Sequence, residues 1–578
     1  MRRMSKTSWG VVFLLAALGG AAQVNSGNGE SQGRVDGIFA AYDKADSPGC
    51  AVGVVRNGEF VYKRGYGMGS LELERPLSPE SVFYMGSISK QFTAASAVLA
   101  AEKGYLSLDD DVRKWVPEIP SYGHTITLRH MLHHTSGLRD EIGLVSLAGK
   151  YIEDVHPAAE IIDLLARQKA LNFNPGDEYQ YSNSNYFLLA EVIHRAARMP
   201  FSRFAEENIF KPLGMTHTRF YDDRTLVLPG RVAAYSPRDE GGFRVDWFTN
   251  FEKVGDGGLM SSVDDLLLWD RNFYHNRLGK GTLLRELQTR GILNNGKSIS
   301  YALGLIMSEY RGLPVVEHGG ALFGYRTEVL RFPAQQFSVI CLCNLSSANP
   351  GARARQVADI YLAGQLRAGA KPAAGTAPDR QPRPITVPAS DHGAFAGLYR
   401  DPSDRSFVMA TARDTGLQVR NPLAEPASPL EATAVLKPVS ANLFADPKGL
   451  QYRFEPAANG GMRMIWDTGQ GTKHVLERIQ PARPTAAELA GYSGDYGSDE
   501  LLATYKVHSK DGRLMVTAGW NDPVELQPSL LDEFLGRFNS EFREPIVIQF
   551  ARVGAKIIGF DLFAGFADGV RDIRFIKK

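Results

Sequence analysis

One stretch, residues 83–90, constrains the fold of this 578-residue chain most strongly, because a short apolar run passes through a glycine into a helix that opens on a serine. In a helix, Ser87 and Lys90 share one face, and the hydroxyl lies near the positive end of the helix dipole. An amine held against a hydroxyl can accept its proton if burial keeps the amine partly neutral. Because Ser-x-x-Lys occurs by chance about once in a chain of this length, the activated nucleophile that it predicts needs support from other motifs.

Bulk composition excludes several classes of protein. The chain has 65 basic and 64 acidic residues, so its formal net charge of +1 does not favour nucleic acid or an anionic membrane as partner. A hydrophobic fraction of 44% with 22% charged residues is typical of a globular protein. The length predicts roughly two to four domains.

The first 22 residues have the pattern of a secretory signal peptide. Basic residues precede an apolar run at 9–18, and small residues at 19–22 follow it. The run is shorter than the roughly 20 apolar residues that span a bilayer, and no cysteine near the cleavage site could carry a lipid. We expect cleavage near Ala22 and an exported protein, periplasmic or extracellular, with no stable membrane span.

The chain has three cysteines, Cys50, Cys341 and Cys343. Cys341 and Cys343 lie on the same face of a predicted strand, and either could face Cys50 if the two strands are neighbours. Between one disulfide and buried free thiols, the sequence favours free thiols.

The segment 34–366 has the pattern of an α+β domain, an antiparallel sheet with helices on both faces. It begins with a helix and a hairpin turning at Asn57-Gly58, and it ends with three strand-like runs and a helix, at 313–317, 326–332, 337–344 and 352–366.

Beyond it, a segment at 367–392 rich in Ala, Pro, Gly and Arg predicts a linker. Two small antiparallel β domains, barrels or meanders, are then expected at 393–480 and 485–578. The second is a weak repeat of the first, since the motif at 395–399 recurs at 492–496 and that at 414–417 recurs at 511–514.

Two polar clusters leave alternatives open. His130, His133 and His134 have helical spacing, but no Glu follows the first histidine as a zinc protease requires, so we expect no metal and no other cofactor. Tyr181 and Asn183 precede a helix, where they could contact a ligand or cap the helix.

Three motifs in this order, Ser87-Ile88-Ser89-Lys90, Tyr181-Ser182-Asn183 and His318-Gly319-Gly320, resemble the active-site motifs of the serine β-lactamase and penicillin-recognising enzyme superfamily, in its class C and D-aminopeptidase-like branch. Segments 134–138, 212–215 and 257–262 look like structural signatures of that branch. The resemblance covers residues 35–366.

The resemblance implies an acyl-enzyme mechanism. Ser87 would attack a carbonyl, and Lys90 with Tyr181 would take and return its proton. Asn183 would bind the acyl side of the substrate. The third motif would line the substrate site through His318, Gly319 and Gly320, and the backbone N–H groups of Ser87 and Ala321 would form the oxyanion hole.

Two departures from the family pattern affect the expected substrate. The third motif usually has Lys where this chain has His318, and histidine at this position resembles the D-aminopeptidases. An imidazole near its pKa is a weak, pH-dependent anchor for a carboxylate. The class A deacylation glutamate has no counterpart, so we expect poor β-lactam turnover.

The resemblance thus implies a serine hydrolase for a small-molecule or peptide substrate, above all D-amino-acid peptides or peptidoglycan fragments. A carboxylesterase and a non-hydrolytic penicillin-binding receptor are the alternatives. The segment 563–569 is either a loop that restricts the active site, as in D-aminopeptidases, or an ordinary hairpin turn, which the sequence slightly favours.

Overall fold

The computed structural model describes residues 26–246, 252–367 and 392–578, the last range without 404, 415, 421, 424–433, 447–449, 458–459, 468–472, 520–521, 539–544 and 565–568. The predicted leader at 1–22 and nearly all of the predicted linker lie outside the described residues. So do positions 565–568 of the candidate loop at 563–569.

The first domain alternates strands and helices. In chain order these are α1 Ser26–Phe39, β1 Cys50–Arg56, β2 Glu59–Tyr66, β3 Met68–Ser70, β4 Arg75–Pro76, β5 Phe83–Tyr84, α2 Ser89–Glu102, α3 Leu128–Leu132, α4 Glu141–Leu147, α5 Ala158–Ala166, α6 Asn183–Ala197, α7 Phe201–Ala205, α8 Lys211–Leu213, β6 Arg219–Phe220, β7 Ala234–Pro237, β8 Phe243–Asp246, β9 Leu259–Ser261, α9 Val263–Asn272, α10 Leu283–Leu287, β10 Ile306–Tyr310, β11 Leu313–Leu322, β12 Tyr325–Phe332, β13 Phe337–Cys343 and α11 Pro350–Tyr361. Short 3-10 turns occupy Gly86–Ile88, Val112–Lys114 and Pro333–Gln335, and a π-helical turn occupies Glu206–Phe210.

A six-stranded antiparallel sheet in the order β10-β11-β12-β13-β1-β2 divides this domain into two layers. Alternate residues of each strand face opposite layers. Val52 and Leu330 pack with α1 and α11 on one face, whereas Ala51 and Val329 pack with α2 and α9 on the other. The predicted α+β sheet with helices on both faces is confirmed.

Two glycines let the turn before α2 approach β11. Gly86 has a φ of +54°, and a Cβ on it would lie 2.6 Å from the backbone nitrogen of Ala321. A Cβ on Gly320 would lie 2.0 Å from the carbonyl oxygen of Met85. Neither position has room for a side chain, so both glycines are needed to bring Ser87 beside the strand that carries His318.

A disulfide joins Cys50 to Cys343, and Cys341 is a buried free thiol. The preference for free thiols was therefore wrong for two of the three cysteines. β1 pairs with β13 in a register that sets Cys50 directly opposite Cys343, with Cα atoms 4.0 Å apart. Strand alternation showed that Cys341 and Cys343 share a face, but it could not show which of them faces Cys50.

Two closed antiparallel barrels of eight strands each follow. The first consists of β14 Gly397–Arg400, β15 Phe407–Arg413, β16 Gly416–Arg420, β17 Ala434–Ser440, β18 Leu443–Ala445, β19 Gln451–Pro456, β20 Met462–Asp467 and β21 Lys473–Ile479. After helix α12 Ala486–Gly491, the second consists of β22 Gly494–Ser498, β23 Ala503–Lys510, β24 Arg513–Ala518, β25 Val524–Leu530, β26 Glu533–Arg537, β27 Pro545–Val553, β28 Lys556–Ala564 and β29 Val570–Lys577. The predicted pair of small β domains is confirmed in its fold.

The barrels share details that mark them as repeats. Tyr399 OH donates to Phe395 O at 2.8 Å, and Tyr496 OH donates to Tyr492 O at 2.6 Å, so the recurring tyrosine motif makes the same bond twice. The register also shifts at equivalent places, after Pro438 in one barrel and after Pro528 in the other.

The second barrel packs against the first domain. Its buried apolar residues belong to the same continuous core as those around α2. Tyr505 OH donates to Leu147 O at 2.7 Å, and Gly149 and Gly519 meet so closely that a Cβ on either would clash with the other. Among the helices in the described parts of the chain, none combines the length and apolar character needed to cross a bilayer.

The disulfide predicts redox-dependent stability. Because it closes a loop between residues 293 positions apart, reduction should lower the free energy of unfolding by roughly 2–5 kcal/mol. Urea unfolding with and without dithiothreitol measures this, and Cys50→Ala/Cys343→Ala should match the reduced wild type. The Cys341→Ala control should remain sensitive to reduction, and loss of that sensitivity would show that Cys341 forms the bond.

Candidate active site

Ser87 is the middle residue of the 3-10 turn that runs directly into α2. Its Oγ accepts hydrogen bonds from Tyr181 OH at 2.8 Å and from Lys90 Nζ at 3.1 Å. The helix places the lysine three residues after the serine on the same face. A hydroxyl flanked by an amine and a phenol can transfer its proton to one of them as it attacks an electrophile.

The Lys90 side chain is fully buried in α2. Besides Ser87, its Nζ donates to Asn183 Oδ1 at 2.8 Å and to the Asp256 carbonyl at 2.7 Å. Burial lowers the pKa of Lys90 to about 8, although the charges of Asp256, Glu141 and Asp140 oppose the change. At this pKa a fraction of the amine is neutral near pH 7 and can accept a proton.

Tyr181 is held between Lys90 and His134. The Tyr181 ring lies 4.3 Å from the His134 ring between centroids, and Lys90 Nζ lies 4.7 Å from the Tyr181 centroid. His134 has a φ of +58°, and its Nδ1 accepts from the backbone N–H of Ser182 at 3.1 Å. His134 therefore fixes both the ring and the backbone of the tyrosine segment.

Asn183 is the first residue of α6, and Ser182 is its N-cap, so the alternative of Asn183 as helix cap is not what the structure contains. Its carboxamide oxygen faces Lys90, while its Nδ2 donates to Asp140 Oδ2 at 3.0 Å. The Asn183 backbone N–H donates to the same Asp140 oxygen at 2.6 Å. Asp140 thus fixes which way the carboxamide points.

A buried ion cluster lies behind Lys90. Lys253 Nζ lies 2.9 Å from Glu141 Oε1 and 2.6 Å from Asp256 Oδ2. Burial lowers the pKa of Lys253, but Asp256 and Glu141 outweigh it and raise the pKa overall. Burial also raises the pKa of Glu141 to about 7. The net charge of this cluster sets the electrostatic environment of Lys90.

The sequence did not identify four of these residues as functional: Asp140, Glu141, Lys253 and Asp256. Asp140 follows closely on the segment 134–138, and Asp256 directly precedes the segment 257–262, and both segments were expected to be structural signatures. The closeness of these residues in sequence to the segments 134–138 and 257–262 was the only available signal.

His318 is buried on β11, and both ring nitrogens have partners. Nδ1 lies 2.6 Å from the Gly319 carbonyl and must donate to it, so Nε2 accepts from Tyr301 OH at 3.2 Å. Burial lowers the pKa of His318 to about 4. The expectation of an imidazole near its pKa was therefore wrong, and His318 is a neutral wall of the site at pH 7.

A cleft of about 750 Å³ opens over Ser87. All the sequence-predicted site residues except buried Lys90 line it: Ser87, Tyr181, Asn183, His318, Gly319, Gly320 and Ala321. Its far wall includes Glu328 and residues 346–351 at the start of α11. Burial and the nearby Glu317 raise the pKa of Glu328 to about 8, and its Oε1 has no hydrogen-bond partner among the described residues.

The three neighbouring histidines have separate structural partners. His130 Nδ1 accepts from the Thr127 backbone N–H at 3.3 Å in a capping box of α3, and His134 supports Tyr181. Burial lowers the pKa of His133 to about 4. Within the described ranges, the only close group of three potential metal ligands is the three cysteines, two of which form the disulfide.

Only the ends of the segment 563–569 belong to the described residues. Phe563 packs with Leu398 and Leu535 between the barrels, and the Gly569 carbonyl accepts from Asn172 Nδ2 at 2.6 Å. The second barrel thus contacts the chain nine residues before Tyr181. Positions 565–568, which would decide between the two expectations for this loop, lie outside the described residues.

Comparison with known proteins gives a consistent result. The Beta-lactamase family profile matches residues 35–363. A D-aminopeptidase from Gluconobacter oxydans (strain 621H) is 28% identical over 459 residues, 78% of this chain and 80% of that protein. Penicillin-binding protein 4* from Bacillus subtilis (strain 168) is 31% identical over 303 residues, 50% of this chain and 66% of that protein. The octameric penicillin-binding protein homologue from Pyrococcus abyssi has a similar fold, with a TM-score of 0.53 at 21% identity over 78% of this chain and 99% of that chain.

The pKa of Lys90 predicts a pH profile for Ser87 reactivity. Labelling of Ser87 by a fluorophosphonate should accelerate as pH rises through about 8, because the neutral amine is the form that accepts the proton. Lys90→Gln should remove this rise and slow labelling by about 10²- to 10⁴-fold. Labelling of Lys90→Gln at the wild-type rate would exclude the lysine as proton acceptor.

Proposed function

The chain belongs to the Beta-lactamase family and is a serine hydrolase, and we propose that it forms an acyl-enzyme on Ser87. The observation that carries this proposal is the convergence of Lys90 Nζ and Tyr181 OH on one serine oxygen within a cleft. These two hydrogen bonds to the oxygen of Ser87 support Ser87 as the attacking residue.

In the proposed first step, Ser87 Oγ attacks a substrate carbonyl and its proton passes to neutral Lys90, directly or through Tyr181. The backbone N–H groups of Ser87 and Ala321 stabilise the negative oxygen of the tetrahedral intermediate, a contribution of typically 10²- to 10³-fold in rate per donor. Tyr181 or Lys90 then returns the proton to the leaving group. In the second step, water attacks the carbonyl of the acyl-enzyme and gives a proton to Lys90 or Tyr181. That proton then passes to Ser87 Oγ as the acyl group leaves it.

We propose D-amino-acid amides and short peptides as substrates. The D-aminopeptidase of Gluconobacter oxydans is similar to this chain over 459 residues, 78% of this chain, which is more than the segment 35–363 that the family profile matches. The cleft also argues against a free carboxylate on the leaving group. His318 is neutral there, and the raised pKa of Glu328 keeps that carboxyl largely protonated, so neither side chain offers a positive charge to a carboxylate. The Arg326 guanidinium in the same cleft donates to the backbone carbonyls of Phe323 and Tyr325.

Export to the periplasm or the extracellular space is a further part of the proposal. It is supported by the signal-peptide pattern at 1–22 and by the Cys50–Cys343 disulfide, because structural disulfides persist in oxidising compartments.

A substrate panel tests the proposed activity. D-Ala-p-nitroanilide should be hydrolysed faster than its L-enantiomer. D-Ala-D-alaninamide should be hydrolysed faster than D-Ala-D-Ala, because the neutral His318 does not attract the terminal carboxylate of D-Ala-D-Ala. Nitrocefin should turn over slowly. Preference for p-nitrophenyl acetate over all D-amino amides would indicate an esterase, and a burst without turnover would indicate a penicillin-binding receptor.

Ser87→Ala should abolish hydrolysis, with a fall of at least about 10³-fold, since the nucleophile itself is removed. Ser96→Ala is the matched control, because Ser96 is a buried serine of α2, the helix that follows Ser87, and its Oγ donates within that helix to Phe92 O at 2.8 Å. Activity that survives Ser87→Ala would overturn the mechanism.

A further inference from the structure

A buried ion pair crosses from the first domain into the second barrel. Arg139 Nη1 lies 2.6 Å from Glu500 Oε2, and the two side chains are 1% and 3% exposed. Glu500 lies two residues after β22 and also accepts from the Lys169 backbone N–H at 2.9 Å. Such a pair holds both partners firmly, because neither charge can reach water without opening the interface.

The two residues that follow Arg139 both reach the proposed active site. Asp140 Oδ2 holds the backbone and side chain of Asn183, whose Oδ1 in turn accepts from Lys90. Glu141 Oε1 holds Lys253 at 2.9 Å. Three consecutive residues therefore connect the barrel, the carboxamide and the buried ion cluster.

Other contacts make this connection tight. Ser184 Oγ lies 2.7 Å from both the Arg139 carbonyl and Glu141 Oε2, so α6 is tied to the backbone on either side of Asp140. Asp140 Oδ1 also accepts from the first backbone N–H groups of α4, from Ile142 at 3.0 Å and Gly143 at 3.2 Å. A shift of Arg139 would thus move Asp140.

We propose that Glu500 is a positioning residue for the acyl-transfer reaction. By fixing Arg139 it sets the position of Asp140, and through Asp140 that of Asn183 and of the Lys90 amine. The second barrel is then a working part of the active site. This inference depends on the proposed role of Ser87 and Lys90, but not on the identity of the substrate.

Loss of the pair has a predictable effect on Lys90. Without Glu500, the acceptors left for the buried Arg139 guanidinium among the residues that the structure describes are neutral, namely Gln168 Oε1 at 2.8 Å and the Asp572 carbonyl at 3.2 Å. Displacement of Asp140 would remove a negative charge from Lys90 and loosen its Asn183 acceptor, and both changes disfavour the ammonium form. The charged or titratable groups that face Lys90 are Asp140, Glu141, Lys253, Asp256, His134, His318, Tyr181 and Tyr186.

The test measures fluorophosphonate labelling of Ser87 against pH in the full chain. Glu500→Gln should label about 10- to 100-fold more slowly, as expected for a small misplacement of reacting groups, and the rise near pH 8 should move to lower pH. Asp499→Asn is the control, because Asp499 is 93% exposed and lies 3.8 Å from Lys169. It should behave as wild type.

A second variant separates positioning from folding. Arg139→Met/Glu500→Leu removes both charges while keeping apolar bulk, a change that proteins often tolerate. It should show a cooperative melt and still label slowly with a shifted pH profile. Wild-type labelling in either variant would overturn the inference. Absence of D-amino amide hydrolysis would refute only the proposed substrate, whereas an unlabelled wild type would refute the nucleophile and this inference together.

Discussion

The buried amine of Lys90 is the feature on which the rest of the site depends. A lysine can be buried only if several acceptors replace water, and here they come from three separate parts of the chain: Ser87 at the start of α2, Asn183 at the start of α6 and the Asp256 carbonyl in the glycine-rich run. The glycines at 86 and 320 then bring this assembly against β11. Burial lowers the pKa of the amine to about 8 while the acceptors and nearby carboxylates oppose the change, so a fraction of the amine is neutral near pH 7.

The two barrels show how one repeated unit takes different places. Both retain the same tyrosine bond and the same register shift. Leu398 and Phe407 of the first barrel pack against the second, and Arg400 forms a bidentate pair with buried Glu533, donating from Nε to Oε1 and from Nη2 to Oε2. The second barrel shares its core with the first domain. The two barrels therefore share a fold but contact different parts of the molecule, because their contacts depend on surface residues that differ between them.

Sequence reasoning was most successful where the chemistry is local. Ser87 and Lys90 lie within one turn, so helix periodicity alone places the amine beside the hydroxyl. The repeat and the sheet with helices on both faces also followed from local pattern. Sequence reasoning was least successful in predicting protonation states and ion pairs between distant parts of the chain. The state of His318 depends on its burial and on Tyr301, and the Arg139–Glu500 pair joins residues 361 positions apart.

The sequence by itself determined the order of the motifs, the family resemblance, the α+β domain and the two β domains, because these depend on residue type and short-range spacing. Only the tertiary structure decided that Cys50 faces Cys343, that Asp140 orients Asn183, and that the second barrel reaches the site through Glu500. Each of these depends on the register or docking of distant segments. The stretch at 83–90 specifies the proposed nucleophile Ser87 and the amine beside it, whereas the surrounding fold sets the charge that the amine carries.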